Sequence, residues 1–77
     1  MFSKRDVEIN DTYAQTLQSV RGERGLTQQE LANESGVSPT YISQMERGIK
    51  VPTLQVLFDL CDACNVTPAA FVRRMEK

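Results

Sequence analysis

Between residues 27 and 48 the chain writes a helix start, a helix stop, a second start and a second stop in close succession. Thr27-Gln28-Gln29-Glu30 is a capping box: the threonine hydroxyl accepts from a free backbone amide, and Glu30 reaches back to the amide of Thr27. Leu31 and Ala32 give the inward face of this helix, and Gly36 ends it after about two turns. Ser38 followed by Pro39 is again a cap with proline at the first helical position, and Ile42 with Met45 faces inward until Gly48. Only Gly36, Val37 and Ser38 separate the two helices. A turn that short with glycine at its head makes the helices cross steeply, which is a helix-turn-helix.

The remaining punctuation also predicts helices. Tyr13, Leu17 and Val20 recur at helical spacing after Asp11, a good N-cap, so a first helix is expected from about 12 to 24, ending at Gly25. Residues 1–10 read as a polar N-terminal arm in which Val7 and Ile9 either pack down or start a strand. Pro52 and Thr53 open a fourth helix whose Leu54, Leu57, Leu60, Cys61 and Cys64 form one apolar stripe. Thr67-Pro68 opens a fifth that carries Phe71, Val72 and Met75. The expected architecture is therefore all-α, five helices in one domain over 11–77, with the helix-turn-helix at about 27–47 and the last two helices within 53–76.

With 77 residues, 40% of them hydrophobic and 25% charged, the chain suits one modest core that leaves little room for a separate catalytic or ligand-binding module. No small-molecule ligand and no cofactor is expected. The N-terminus runs through Lys4, Arg5, Asp6 and Glu8 before any apolar stretch, and no run approaches the roughly 20 apolar residues of a membrane span. A soluble, cytoplasmic protein is the expectation.

Metal chemistry lacks its ligands. There is no histidine and there are two cysteines, Cys61 and Cys64, too few for a tetrahedral nitrogen and sulfur site within one chain. Their C-x-x-C spacing is that of a redox pair, but that chemistry uses a helix N-terminus to lower the thiol pKa. These cysteines fall late in an apolar helical pattern, which favours two small buried hydrophobes. Nothing points to an enzyme.

The outward face of the third helix is the candidate functional surface. With Ile42 and Met45 inward, Pro39, Thr40, Ser43, Gln44 and Arg47 fall on the remaining face or its edges. Most are uncharged groups that donate and accept hydrogen bonds. A surface helix that only needs solvating carries Glu, Lys and Arg, whereas this one has no charge before Glu46. A DNA major groove admits one α-helix and presents donors, acceptors and thymine methyls to it. The net charge of −1 gives no global pull toward nucleic acid, but Arg47 and Lys50 leave a local positive face.

Gly25-Leu26-Thr27-Gln28-Gln29-Glu30-Leu31-Ala32, Ser35-Gly36-Val37-Ser38, Tyr41-Ile42-Ser43-Gln44 and Glu46-Arg47-Gly48 together resemble the XRE family, the Cro/cI-type helix-turn-helix, from about Tyr13 to Phe71. The resemblance implies a lambda-repressor-like five-helix domain that binds double-stranded DNA. It implies that Gln28, flanked by Thr27, holds a phosphate and braces the start of the third helix. It places base reading on the positions of Pro39, Thr40 and Gln44, with Ser38, Ser43, Arg47 and Lys50 close to bases or backbone. Proline departs from the pattern and offers only apolar contact. Tyr41 is expected either to give its hydroxyl to a phosphate or to be partly buried. The family pattern also joins Arg21 and Glu46 in an ion pair between the first and third helices.

One helix in one groove covers too few base pairs, so such proteins bind as two-fold dimers on half-sites about one helical turn, 34–36 Å, apart. Phe58, Val72 and Met75 are the candidate homodimer face, with simple core packing as the alternative for each, while Phe71 belongs to the core. Small XRE proteins include phage repressors, antitoxins and restriction-modification controllers, and Thr40-Tyr41-Ile42-Ser43 is similar to the controllers. The competing expectation is a protein-interaction adaptor that keeps the fold without binding DNA.

Overall fold

The computed structural model describes residues 6–76, with side chains from Ile9 onward. Five helices follow in order: α1 (Asp6–Glu23), α2 (Gln28–Ser35), α3 (Pro39–Glu46), α4 (Leu54–Ala63) and α5 (Pro68–Met75). No strand occurs among the described residues, so the chain is all-α as its punctuation predicts.

The caps explain the boundaries. Thr27, Ser38, Thr53 and Thr67 each sit in extended backbone, and each side-chain oxygen accepts from the amide three residues on. The capping box of α2 is complete: the Glu30 amide donates to Thr27 Oγ1 at 3.0 Å, and the Thr27 amide donates to Glu30 Oε1 at 2.8 Å. Gly36 adopts φ 78°, a left-handed conformation that costs a side-chain-bearing residue, and its amide donates to Ala32 O.

The start of α1 differs from expectation. Asp11 is not its cap, and residues 6–10 are helix instead of arm or strand, while residues 1–5 lie outside the described residues. Nothing between Asp6 and Asp11 breaks a helix, so a residue suited to capping is carried inside one.

Tyr13, Leu17 and Val20 of α1 meet Leu31 and Ala32 of α2, Ile42 and Met45 of α3, Leu60, Cys61 and Cys64 of α4, and Phe71 of α5 in one core. The Tyr13 and Phe71 rings lie 5.5 Å apart and tilted, and the Tyr13 hydroxyl donates to Met45 Sδ at 3.4 Å. Burial raises the pKa of the Tyr13 hydroxyl, so it stays protonated as the donor. Both cysteines are buried free thiols, and burial pushes Cys61 up to about 11, the opposite of an activated redox thiol.

One apolar expectation is corrected. Leu54 is 75% exposed, and Val56 packs against the core instead. Met75 is half-buried against the core, the core packing that was its alternative, whereas Phe58 and Val72 are exposed. Among the described residues no helix is long and apolar enough to cross a membrane.

Candidate nucleic-acid interface

A buried polar node sets the position of α3. Glu46 ends that helix with its side chain 4% exposed. Its carboxylate accepts from Arg21 Nε at 2.6 Å, from a second Arg21 nitrogen at 2.9 Å, and from Gln28 Nε2 at 3.0 Å. The bidentate fork is the geometry a guanidinium and a carboxylate favour, and the hydrogen bond to Glu46 raises the Arg21 pKa. Arg21 also donates to Leu26 O at 2.8 Å, so one side chain of α1 ties the α1–α2 turn to the end of α3.

Gln18 completes the node. Its Nε2 donates to the backbone carbonyl of Glu46 at 2.8 Å, one of the carbonyls that a helix end leaves without an internal partner. Gln18 lies among polar residues on the outer part of α1, and nothing in the local sequence signals a partner 28 residues away.

Gln28 therefore braces the end of α3, not its start: the first residue of α2 lies beside the last residue of α3. One amide hydrogen goes to Glu46, which leaves the second for an external acceptor. Gln28 also opens a helix whose free N-terminal amides carry partial positive charge, where phosphate is favoured.

Along α3, Ile42, Met45 and Glu46 are buried, and the 3.6-residue turn sets Thr40, Gln44 and Arg47 opposite them. Ser43 and Pro39 lie on one flank of this face and Tyr41 on the other. Thr40 and Arg47 are exposed, while Ser43 and Gln44 are half-exposed. None of the side-chain hydrogen bonds among the described residues uses Thr40, Ser43, Gln44 or Arg47. Lys50 is exposed in the α3–α4 loop, and its amide, with that of Ile49, points to Gln44 O.

Ser38 accepts within the fold and keeps its hydroxyl proton, whereas Tyr41 donates within the fold. The Ser38 hydroxyl accepts from the Tyr41 amide at 3.0 Å as the cap of α3. The Tyr41 hydroxyl donates to Val51 O at 3.1 Å, not outward. Tyr41 is half-buried, as the second of its two expectations has it, and its one hydroxyl proton is used within the fold.

The constellation is a short helix, clamped at its far end, that presents unpaired polar groups after a three-residue turn. The helix-turn-helix family profile (HTH_3) matches residues 17–71. The chain belongs to the helix-turn-helix family.

Its relatives and structural neighbours are regulators by name. The chain is 42% identical over 53 residues to "Uncharacterized HTH-type transcriptional regulator y4dJ" of Sinorhizobium fredii, covering 69% of each. It is 32% identical over 68 residues to the control protein C.SmaI of Serratia marcescens, covering 88% of this chain and 81% of that one. Among solved structures it resembles the clp gene regulator ClgR of Corynebacterium glutamicum with a TM-score of 0.82 at 33% identity, covering 87% of this chain and 71% of that one. Among the described residues no group of His, Cys, Asp or Glu could hold a metal ion.

Proposed function

We propose that this helix-turn-helix protein is a sequence-specific, DNA-binding transcriptional regulator that acts in the cytoplasm as a homodimer on an inverted-repeat operator. The observation that carries the proposal is the partition of polar groups around α3: those that hold the helix are bonded within the fold, while Thr40, Ser43, Gln44 and Arg47 face outward unpaired.

Each outward group has a role that its chemistry supports. Gln44 offers the paired donor and acceptor that match an adenine edge, and Thr40 offers a hydroxyl and a methyl. Pro39, exposed at the head of α3, is limited to apolar contact such as a thymine methyl. Arg47, Lys50, Ser43, Ser38, Thr27 and the free hydrogen of Gln28 serve bases at the edge or phosphates. Phe58 and Val72 are exposed and available to a partner. Dimerisation and operator occupancy both rise with protein concentration, which suits control of its own gene.

Selection from a random duplex library, followed by titration of the winner against scrambled DNA at rising salt, tests the proposal. An enriched inverted repeat with half-sites about 34–36 Å apart is expected. Gln44→Ala is expected to cost about 1–3 kcal/mol at one base position and to leave the fold intact. Equal loss on every sequence removes the base-reading role. Absence of any enrichment by folded protein replaces the regulator with a protein-interaction adaptor.

A further inference from the structure

Gly48, which follows the cap of α3, is restricted to glycine on two counts. Its φ is 75°, a left-handed conformation, and a Cβ added there would lie 3.2 Å from Asp11 Oδ1 and 4.0 Å from Asn10 O. The second restriction comes from another helix. The part of α1 before Tyr13 reaches the point where the chain leaves α3, and it brings a carboxylate with it.

Asp11 has the chemistry of a cap but lies inside α1. It is exposed, and no ion pair among the described residues includes it. The turn it rests against carries Arg47 immediately before Gly48 and Lys50 two residues after it, both exposed. That turn is fixed to α3: the Gly48 amide donates to Met45 O at 3.1 Å, and the Ile49 amide donates to Gln44 O at 2.9 Å. The place where positive charge stands beside the outward face of α3 therefore also holds a negative charge.

Such a charge acts on phosphates and not on bases. Its field extends over a Debye length, about 10 Å at 0.1 M salt, which is enough to oppose a nearby DNA backbone. Backbone attraction carries no sequence information, so an acid at this point lowers affinity for every duplex alike and leaves base contacts from Thr40 and Gln44 as they are.

We propose that Asp11 is an electrostatic brake on DNA binding: its carboxylate, seated against the turn that carries Arg47 and Lys50, offsets part of their attraction for phosphate. The proposal rests on the DNA-binding reading above and goes further by naming a residue that weakens the complex for all sequences.

Titration of two duplexes, the sequence recovered by selection and a scrambled one, with the full chain at about 50 mM salt and then at rising salt tests it. The variants are Asp11→Asn, Asp11→Ser, Asp11→Lys and Glu76→Gln. Glu76 is exposed at the end of α5, which packs on α1 and α4, so Glu76→Gln removes the same charge as Asp11→Asn at a site remote from α3. Asp11→Asn and Asp11→Ser are each expected to tighten both duplexes about three- to tenfold at low salt, with Asp11→Lys tightening them further. The gain is expected to shrink as salt screens it, and Glu76→Gln to stay within about twofold of wild type.

Circular dichroism melts report whether each variant is folded. Folded Asp11→Asn and Asp11→Ser chains that bind no tighter than wild type overturn the brake. So does a gain on the selected duplex alone, a gain that salt leaves unchanged, or an equal gain in Glu76→Gln, which would assign the effect to net charge. A folded wild-type chain that binds neither duplex overturns the DNA-binding reading itself.

Discussion

Arg21→Ala isolates the device that holds α3 in place. The substitution leaves the Glu46 carboxylate, whose side chain is 4% exposed, with Gln28 Nε2 at 3.0 Å as its remaining side-chain donor. Removing one partner of a buried pair costs about 3–5 kcal/mol, because the other charge stays buried without compensation. The Arg21 side chain is itself 21% exposed, so water reaches part of the space it vacates, and the lower end, about 3 kcal/mol, applies. In a domain of this size each kcal/mol moves the melting midpoint by about 4–8 °C, so the expected drop is about 12–24 °C.

Glu46→Gln supplies the contrast. The amide keeps one oxygen acceptor, so one of the two Arg21 bonds is lost, and the part-exposed guanidinium turns that donor to water, so about 1–2 kcal/mol is expected. Urea unfolding of both variants, at low salt and again near 1 M salt, gives the comparison. An exposed pair is screened under those conditions and a buried one much less. Arg21→Ala within about 1 kcal/mol of wild type, or an effect that salt abolishes, would refute the buried-node account and return the pair to the class of solvated surface bridges.

Two further outcomes follow from local geometry. Gly36→Ala places a side chain at φ 78° where the added Cβ meets nothing within 4 Å, so its cost is conformational, about 1–2 kcal/mol, read as a lowered urea midpoint. Cys61, with its thiol pushed up to about 11 by burial, contributes stability that is fully present below the ordinary thiol pKa. That stability is lost as pH rises from about 8.5 toward 11, because the unfolded thiol ionises first. Melting midpoints of wild type and Cys61→Ala should converge over that range, and parallel curves would sink the assignment.

The helix-turn-helix was legible because its signals are local. Thr27 with Glu30, Ser38 with Pro39, and the glycines at 36 and 48 act on amides and carbonyls within four residues of themselves. The start of α1 was not legible, because Asp11 has a cap's chemistry but the helix is set by what lies upstream of it. Leu54 shows a second limit: spacing assigns a residue to a face but says nothing about whether the core extends beneath it. The contacts of Gln18 and Gln28 with Glu46 and of Tyr41 with Val51 are tertiary, so the sequence nominated Gln28 and Tyr41 without these partners and did not nominate Gln18 at all.

A chain with net charge −1 poses a question that the fold answers by distribution. Phosphate attraction makes up most of non-specific affinity, and this protein brings little of it: Arg47 and Lys50 are the basic side chains on or next to α3, while Glu30, Glu34, Asp59 and Asp62 lie on α2 and α4. Weak attraction to all DNA lowers the background against which a right sequence must be found. On the proposed reading it also moves the work of recognition from long-range charge to groups that touch base edges, and those groups succeed only if α3 arrives in one orientation. The node of Arg21, Gln18, Gln28 and Glu46 supplies that orientation at the far end of the helix, and the Ser38 cap supplies it at the near end. On the proposed reading, a short, clamped, nearly uncharged α3 is therefore a consistent answer to a low-charge surface, because positional precision substitutes for electrostatic reach.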